Sequence, residues 1–160
     1  MQQLTTLYID KESHKFSAAH YTIFSARERE RLHGHNYSVS VRIVAPVGEN
    51  GFSADYNVYK TRLKALCDSL DEYLLLAENS PYQTIEEEGA CYRVKFADDE
   101  MLFLQSDTLL LPIRNATVEE FAHFLLGKLV IESDGEDLRE IELCVASGPG
   151  QRACSLWRPG

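Results

Sequence analysis

Apolar and polar residues alternate most regularly from His33 to Ile43. His33, His35, Tyr37, Val39, Val41 and Ile43 share one side of an extended chain, and Asn36, Ser38, Ser40 and Arg42 take the other. That alternation predicts a strand. A weaker alternation from Leu4 to His20 predicts one or two strands more, with Phe16, Ala18 and His20 on a common face. Ser25 to Arg31 reads as an exposed polar loop, and Pro46, Gly48, Asn50 and Gly51 mark a turn. Asp55 is placed to cap a helix reaching about Leu76, with Tyr59, Leu63, Leu66, Leu70 and Leu74 at helical spacing. Two short apolar runs, Cys91 to Phe96 and Met101 to Leu104, flank Asp98-Asp99-Glu100 and predict a hairpin. Thr117 and Glu120 have the spacing of a capping box for a second helix, with a stripe of Val118, Phe121, Ala122, Leu125 and Leu129 that ends in the polar turn Ser133 to Asp137. Strands follow at Ile141–Val145 and near Ala153–Trp157, around the loop Ser147-Gly148-Pro149-Gly150. The order of strands, helix, hairpin, helix and strands predicts an α+β fold in a single domain over residues 1–160.

Length and composition are those of an ordinary globular chain: 160 residues, 44% hydrophobic and 26% charged. Its formal charge of −9 argues against nucleic acid and anionic membrane surfaces, because the basic cluster of Arg27, Arg29 and Arg31 is interrupted by Glu28 and Glu30. The four cysteines, Cys67, Cys91, Cys144 and Cys154, form no C-x-x-C pair and are expected as buried thiols of a reducing compartment. The opening residues lack a basic and apolar leader, and no run approaches the roughly 18 apolar residues of a membrane span. A cytoplasmic location is therefore expected.

Three of the five histidines carry the chemistry. His33 and His35, two apart on a strand, present both imidazoles to one side, and His20 ends a neighbouring strand on the matching face. If the two strands pair, three nitrogens converge and leave a fourth position open, the arrangement of a catalytic zinc site and not of a closed structural one. His14 and His123 have no matching partner and are read as structural.

These residues carry a family resemblance. Phe16-Ser17-Ala18-Ala19-His20 followed by His33-Gly34-His35-Asn36-Tyr37 resembles the signature of the 6-pyruvoyl-tetrahydropterin synthase and 6-carboxytetrahydropterin synthase family. Gly51-Phe52-Ser53-Ala54-Asp55-Tyr56 resembles its helix start, Leu70-Asp71 the beginning of its Leu-Asp-His, and Thr117-Val118-Glu119 its Thr-x-Glu-Asn. The resemblance implies the tunnelling fold, an antiparallel four-stranded sheet with two helices on one face, here with an inserted hairpin. It also implies a homohexamer built as a dimer of trimers with sites between subunits. The implied substrate is 7,8-dihydroneopterin triphosphate, the implied metal zinc on His20, His33 and His35, and the implied pterin contacts Thr117 and Glu119. Arg27, Arg29, Arg31, Lys60 and Arg114 are candidates for the triphosphate.

The sequence departs from the family pattern at three places. Where the pyruvoyl- and carboxy-forming members carry a cysteine before His-Gly-His, Arg29 stands here, and Glu30-x-x-His33-Gly34-His35 is similar to the branch that cleaves the side chain to 6-hydroxymethyl-dihydropterin. Glu30 is then the expected general base, or one more charge of a solvated loop. The relay histidine is replaced, leaving Asp71 and Glu72 as a candidate acid pair or as exposed helix-end residues. The segment where the family anchors the pterin on a glutamate reads Val145-Ala146-Ser147, with no acid. Two readings follow: a zinc-dependent lyase of pterin metabolism, or a repurposed tunnelling-fold protein that binds another planar heterocycle.

Overall fold

The strand expected from His33 onward is the spine of the computed structural model, which describes residues 2–160. In chain order the elements are β1 (Leu4–Ile9), β2 (Lys15–His20), β3 (His33–Pro46), α1 (Tyr56–Leu70), β4 (Tyr73–Ala77), β5 (Gln83–Glu88), β6 (Cys91–Phe96), β7 (Asp99–Leu104), β8 (Thr108–Leu111), α2 (Val118–Glu132), β9 (Glu140–Gly148) and β10 (Gln151–Trp157). β1 and β2 lie end to end along one edge of β3, both antiparallel to it, with Leu4 opposite Pro46 and His20 opposite His33. A turn joins them, closed by the N–H of His14 on the Lys11 carbonyl (2.9 Å) and the N–H of Val39 on the His14 carbonyl (2.9 Å). β9 takes the other edge of β3 and β10 lies outside it, so that β10-β9-β3-β2 form the antiparallel part of a seven-stranded mixed sheet, wider than the four strands expected, which β4 and β8 extend beyond β2 and β1 completes beside β3. The alternation along β3 survives as burial, with Tyr37, Val39, Val41, Ile43 and Ala45 all enclosed. These residues meet the apolar stripes of α1 and α2 in one core.

The first helix ends at Leu70, earlier than its apolar spacing predicts, and Leu74 is not on it. Glu72 adopts a left-handed backbone (φ 64°) that turns the chain back, and Tyr73–Ala77 run as β4, parallel to both β2 and β8. The physical reason lies in two-sided burial. Leu75 and Ala77 face the helix-covered core, whereas Leu74 and Leu76 face a second cluster with Tyr21, Ile23, Val94 and Phe96. A strand buried on both faces is a continuous apolar run, which neither the helical nor the alternating period identifies. The second cluster is closed by an antiparallel three-stranded sheet, β5-β6-β7. Its β6–β7 half is the expected hairpin; β5, ending in Glu86, Glu87 and Glu88, gave no strand signal.

At the start of α2 the Thr117 hydroxyl accepts the N–H of Glu120 (3.3 Å). The return bond of a capping box is replaced by another, because the Glu120 carboxylate takes the N–H of Arg114 (2.8 Å) and its guanidinium. The cysteine expectation needs correction. Cys144 and Cys154 are directly opposed on β9 and β10 and form a disulfide, while Cys67 and Cys91 are free. Pairing of residues ten apart depends on hairpin register, which their spacing alone does not display.

His14 is 2% exposed. Burial is the main cause of its lowered pKa; the Lys60 backbone opposes it, and the charges of Lys11, Lys64 and Lys60 add to the lowering. The native state therefore holds it neutral, while the unfolded chain protonates near the ordinary value of 6.5. The stability carried by the neutral form is full above that value and is lost as pH falls through it, by at most about 1.4 kcal/mol per pH unit for one proton. Urea unfolding of metal-free protein is expected to show falling stability from pH 7 to pH 5, and a smaller fall for His14→Gln. An identical fall in both proteins contradicts this assignment.

Candidate metal centre and its flanking loop

The register of β2 on β3 sets Ala18 opposite His35 and His20 opposite His33, so the three histidines share the inner face of the sheet. Their ring centroids lie 4.7 Å (His20–His33), 5.1 Å (His20–His35) and 4.8 Å (His33–His35) apart. Nδ1 of His20 donates to the Ala116 carbonyl (2.7 Å), and Nδ1 of His33 to the Arg31 carbonyl (2.7 Å). Each bond fixes the tautomer and turns the Nε2 lone pair inward, as outer-shell partners of metal-binding histidines do. Nε2 of His33 and of His35 are 3.0 Å apart, and one ligand atom from each histidine lies within 4.8 Å of the other two.

His20 Nε2 is buried with no hydrogen-bond partner among the described residues. An unsatisfied buried polar atom costs about 1–3 kcal/mol. A cation that takes the lone pair of His20 Nε2 removes that penalty, and two nitrogens on a tetrahedral ion at 2.0–2.1 Å stand roughly 3.3 Å apart, close to the His33–His35 spacing. The residues fit a divalent transition metal with one coordination position left open. Burial lowers the pKa of His20, with the carbonyl of Ala116 opposing, so its imidazole is held in the neutral form that ligates.

Glu30 stands beside this cluster, with Oε2 3.3 Å from His33 Nε2. Partial burial pushes its carboxyl up, but the Thr22 N–H on Oε1 (3.2 Å) and the neighbouring His33 and His20 outweigh it, leaving a net lowering. It is therefore ionised near neutral pH. The loop that carries it is not a solvated coil. Its ends pair through the N–H of Glu30 on the Thr22 carbonyl (2.8 Å) and the N–H of Phe24 on the Glu28 carbonyl (2.8 Å). The Asn115 side chain clamps it from the far side, accepting the N–H of Ile23 (3.0 Å) and donating to its carbonyl (2.8 Å). Asn115 and Ala116, adjacent in sequence, thus hold the Glu30 loop and the His20 ring together.

The remaining expected residues fall in different places. Thr117 follows Ala116 as the cap of α2, and Glu119 is exposed on the first turn of that helix. Asp71 accepts the N–H of Ser17 (2.7 Å), and Glu72 lies exposed next to it, at the Ser17 end of β2 and not at the His20 end. Ala146 lines a cleft of about 570 Å³ with Asn36, Ser38 and Gln151, on the other face of the sheet, and no carboxylate among the described residues lines it. Among the basic candidates, Arg29 is inserted between rings, Arg114 is paired with Glu120, and Lys60 stacks over Tyr56 on α1. Arg27 remains exposed, 3.9 Å from Asp98, and Arg31 is exposed.

Asn115, the packing of Arg29 and the buried Tyr37 were not anticipated as parts of the site. Tyr37 is fully enclosed beside His35 (ring centroids 5.5 Å apart), and burial raises its hydroxyl well above the usual phenol range. The alternation of β3 is a signal for Tyr37; nothing local marks Asn115.

A family model for 6-pyruvoyl tetrahydropterin synthase matches residues 8–153. Proteins of Methanocaldococcus jannaschii and Pyrococcus abyssi, both provisionally named 6-carboxy-5,6,7,8-tetrahydropterin synthase, are similar over most of the chain. The first is 29% identical over 144 residues, 88% of each chain, and the second 30% identical over 145 residues, 89% of this chain and 84% of the other. Among solved structures, the 6-pyruvoyl tetrahydropterin synthase of Plasmodium vivax superposes with a TM-score of 0.93 at 27% identity, covering 98% of this chain and 99% of the other. That of Plasmodium falciparum gives 0.91 at 26% identity with the same coverage. Two further structures are of the Plasmodium vivax protein with a glutamate, described as a catalytic residue, replaced by alanine or by cysteine.

The geometry predicts one divalent ion per chain. Titration with cobalt(II) is expected to give the absorption of a low-coordinate site at one equivalent, and His33→Ala is expected to weaken binding by about 100-fold or more while leaving the melting temperature of the metal-free protein within a few degrees. Undiminished stoichiometric binding by His33→Ala contradicts the three-histidine site.

Proposed function

The chain belongs to the 6-pyruvoyl tetrahydropterin synthase family, and from that membership we propose that it is a zinc-dependent lyase acting on 7,8-dihydroneopterin triphosphate or a close relative, cleaving the side chain to leave 6-hydroxymethyl-dihydropterin. The observation that carries the reading is Glu30, ionised and held 3.3 Å from a ring of the three-histidine cluster. It is supported by the catalytic glutamate named in the Plasmodium vivax structures, which superpose along nearly the whole chain.

His20, His33 and His35 would hold the metal, which when bound would supply a Lewis acid that lowers the pKa of the hydroxyl to be deprotonated. Glu30 takes the proton from that hydroxyl. The adjacent carbon–carbon bond breaks, the hydroxyl carbon becomes an aldehyde, and the released electron pair is delocalised into the pterin ring. Return of a proton to the ring-side carbon leaves the hydroxymethyl group. No oxidant or reductant is consumed. A general base of this kind contributes typically 10²–10⁴-fold.

The pterin is contacted by Thr117 and Glu119, which the start of α2 places directly after the carbonyl that orients His20. Asp71 and Glu72 are separated from the cluster along β2, so in this reading any acid they supply serves the site of an adjoining subunit in a homohexamer. Arg27 and Arg31 are the loop cations left to meet the triphosphate, whereas Arg29, Lys60 and Arg114 have other partners. A cytoplasmic location belongs to the same reading, from family membership and not from the cysteines, two of which are paired; no helix among the described residues is long and apolar enough to cross a membrane.

Incubation of zinc-loaded protein with 7,8-dihydroneopterin triphosphate, with products resolved by mass, is expected to yield 6-hydroxymethyl-dihydropterin. Glu30→Gln is expected to lose about 10²-fold or more in kcat at unchanged metal content. A pyruvoyl or carboxy product, or an unimpaired Glu30→Gln, overturns the proposal.

A further inference from the structure

We infer that Arg29 is the positioning residue for Glu30, and that the three-stranded sheet β5-β6-β7 is the buttress through which it acts; the inference rests on Glu30 being the base. The three loop arginines differ in kind. The Arg27 side chain is 82% exposed, whereas that of Arg29 is 19% exposed. The Arg29 guanidinium carbon lies 5.3 Å from the ring centre of Tyr21 and 5.8 Å from that of Phe96, a slot between the residue that follows His20 and the end of β6. Aromatic faces attract a guanidinium placed within about 6 Å.

From this slot the fork reaches in two directions. Nη1 donates to the backbone carbonyl of Glu30 (3.0 Å), and Nη2 pairs with Asp99 at the start of β7 (3.3 Å). The walls of the slot are themselves tied down, since the Tyr21 hydroxyl donates to Gln83 of β5 (2.8 Å) and the Gln83 amide donates to the Ala77 carbonyl of β4 (3.0 Å). Glu30 is thus held at three points: its carbonyl by Arg29, its N–H by the Thr22 carbonyl, and its carboxylate by the Thr22 N–H. Without Arg29 the backbone on the His33 side of Glu30 loses the contact that joins it to the inserted sheet, and the carboxylate is free to leave the cluster. A planar fork can stack and donate in two directions at once; an ammonium cannot.

The test compares Arg29→Met, Arg29→Lys, Glu30→Gln and the double variant Arg29→Met/Glu30→Gln as zinc-loaded proteins. Misplacement of a reacting group by about 1 Å costs on the order of 10²-fold in rate. Arg29→Met is therefore expected to lower kcat about 10- to 100-fold with KM within twofold and one metal per chain, and Arg29→Lys to restore part of the loss. In the Glu30→Gln background Arg29→Met is expected to cost nothing further, because residues that act through one another are not additive. Equal losses in both backgrounds, or a raised KM at unchanged kcat, overturn the inference. Amide hydrogen exchange reads the same geometry without turnover. Arg29→Met is expected to speed exchange at Thr22 and Glu30 at least tenfold, and unchanged exchange there overturns the inference even if the wild-type protein forms no product, an outcome that would count against the proposed reaction alone.

Discussion

The antiparallel register of β2 on β3 is the constraint on which the rest of the site depends. Side chains repeat every two residues along a strand, so a one-residue slip would move His20 to the outer face while His33 and His35 stayed inside. The slip is opposed by the core, since the same register buries Phe16 at 1% and Ala18 at 6% exposure next to fully enclosed Tyr37 and Val39. Phe16 and Tyr37 stack at 5.0 Å, and Phe121 of α2 closes on both rings edge-on. Hydrophobic packing thus sets the positions of three polar rings that have no packing reason to meet.

Around that register the polar structure is arranged to serve two groups at once. The short connection into α2 gives the Ala116 carbonyl to His20 and the Asn115 amide to the loop of Glu30, so the orientation of a ring that ligates and the placement of the carboxylate are coupled through one backbone segment. The inserted sheet adds a second hold on the same loop through Arg29. The formal charge of −9 reads differently with this in view. Much of the acid on the inserted sheet faces outward, as at Glu86, Glu87 and Asp98, while Asp99 meets Arg29 and Glu88 and Glu100 meet Arg93.

What the sequence made legible was periodic or local. The alternation of β3, the caps at Asp55 and Thr117 and the pairing of His20 with a His-x-His strand all emerge from spacing, and the structure places them as expected. What stayed hidden depended on tertiary neighbours. The end of α1 was missed because Leu74–Ala77 are buried on both faces, which erases the period that separates helix from strand. The disulfide was missed because only the β9–β10 register opposes Cys144 and Cys154. Asn115 carried no signal, and Arg29 was read as a cation for the triphosphate, because their roles consist of contacts to residues distant in the chain, Ile23 in one case and Phe96 and Asp99 in the other.

The central claim, that β2 and β3 hold a metal on three imidazoles beside Glu30, is tested most directly by X-ray absorption at the zinc edge of protein loaded with one equivalent of zinc. The account predicts a first shell of nitrogen and oxygen at about 2.0–2.1 Å with the outer scattering of three imidazole rings. Sulfur at about 2.3 Å, which would put the ion on cysteine thiolate, or a shell with fewer than three imidazoles, would contradict it.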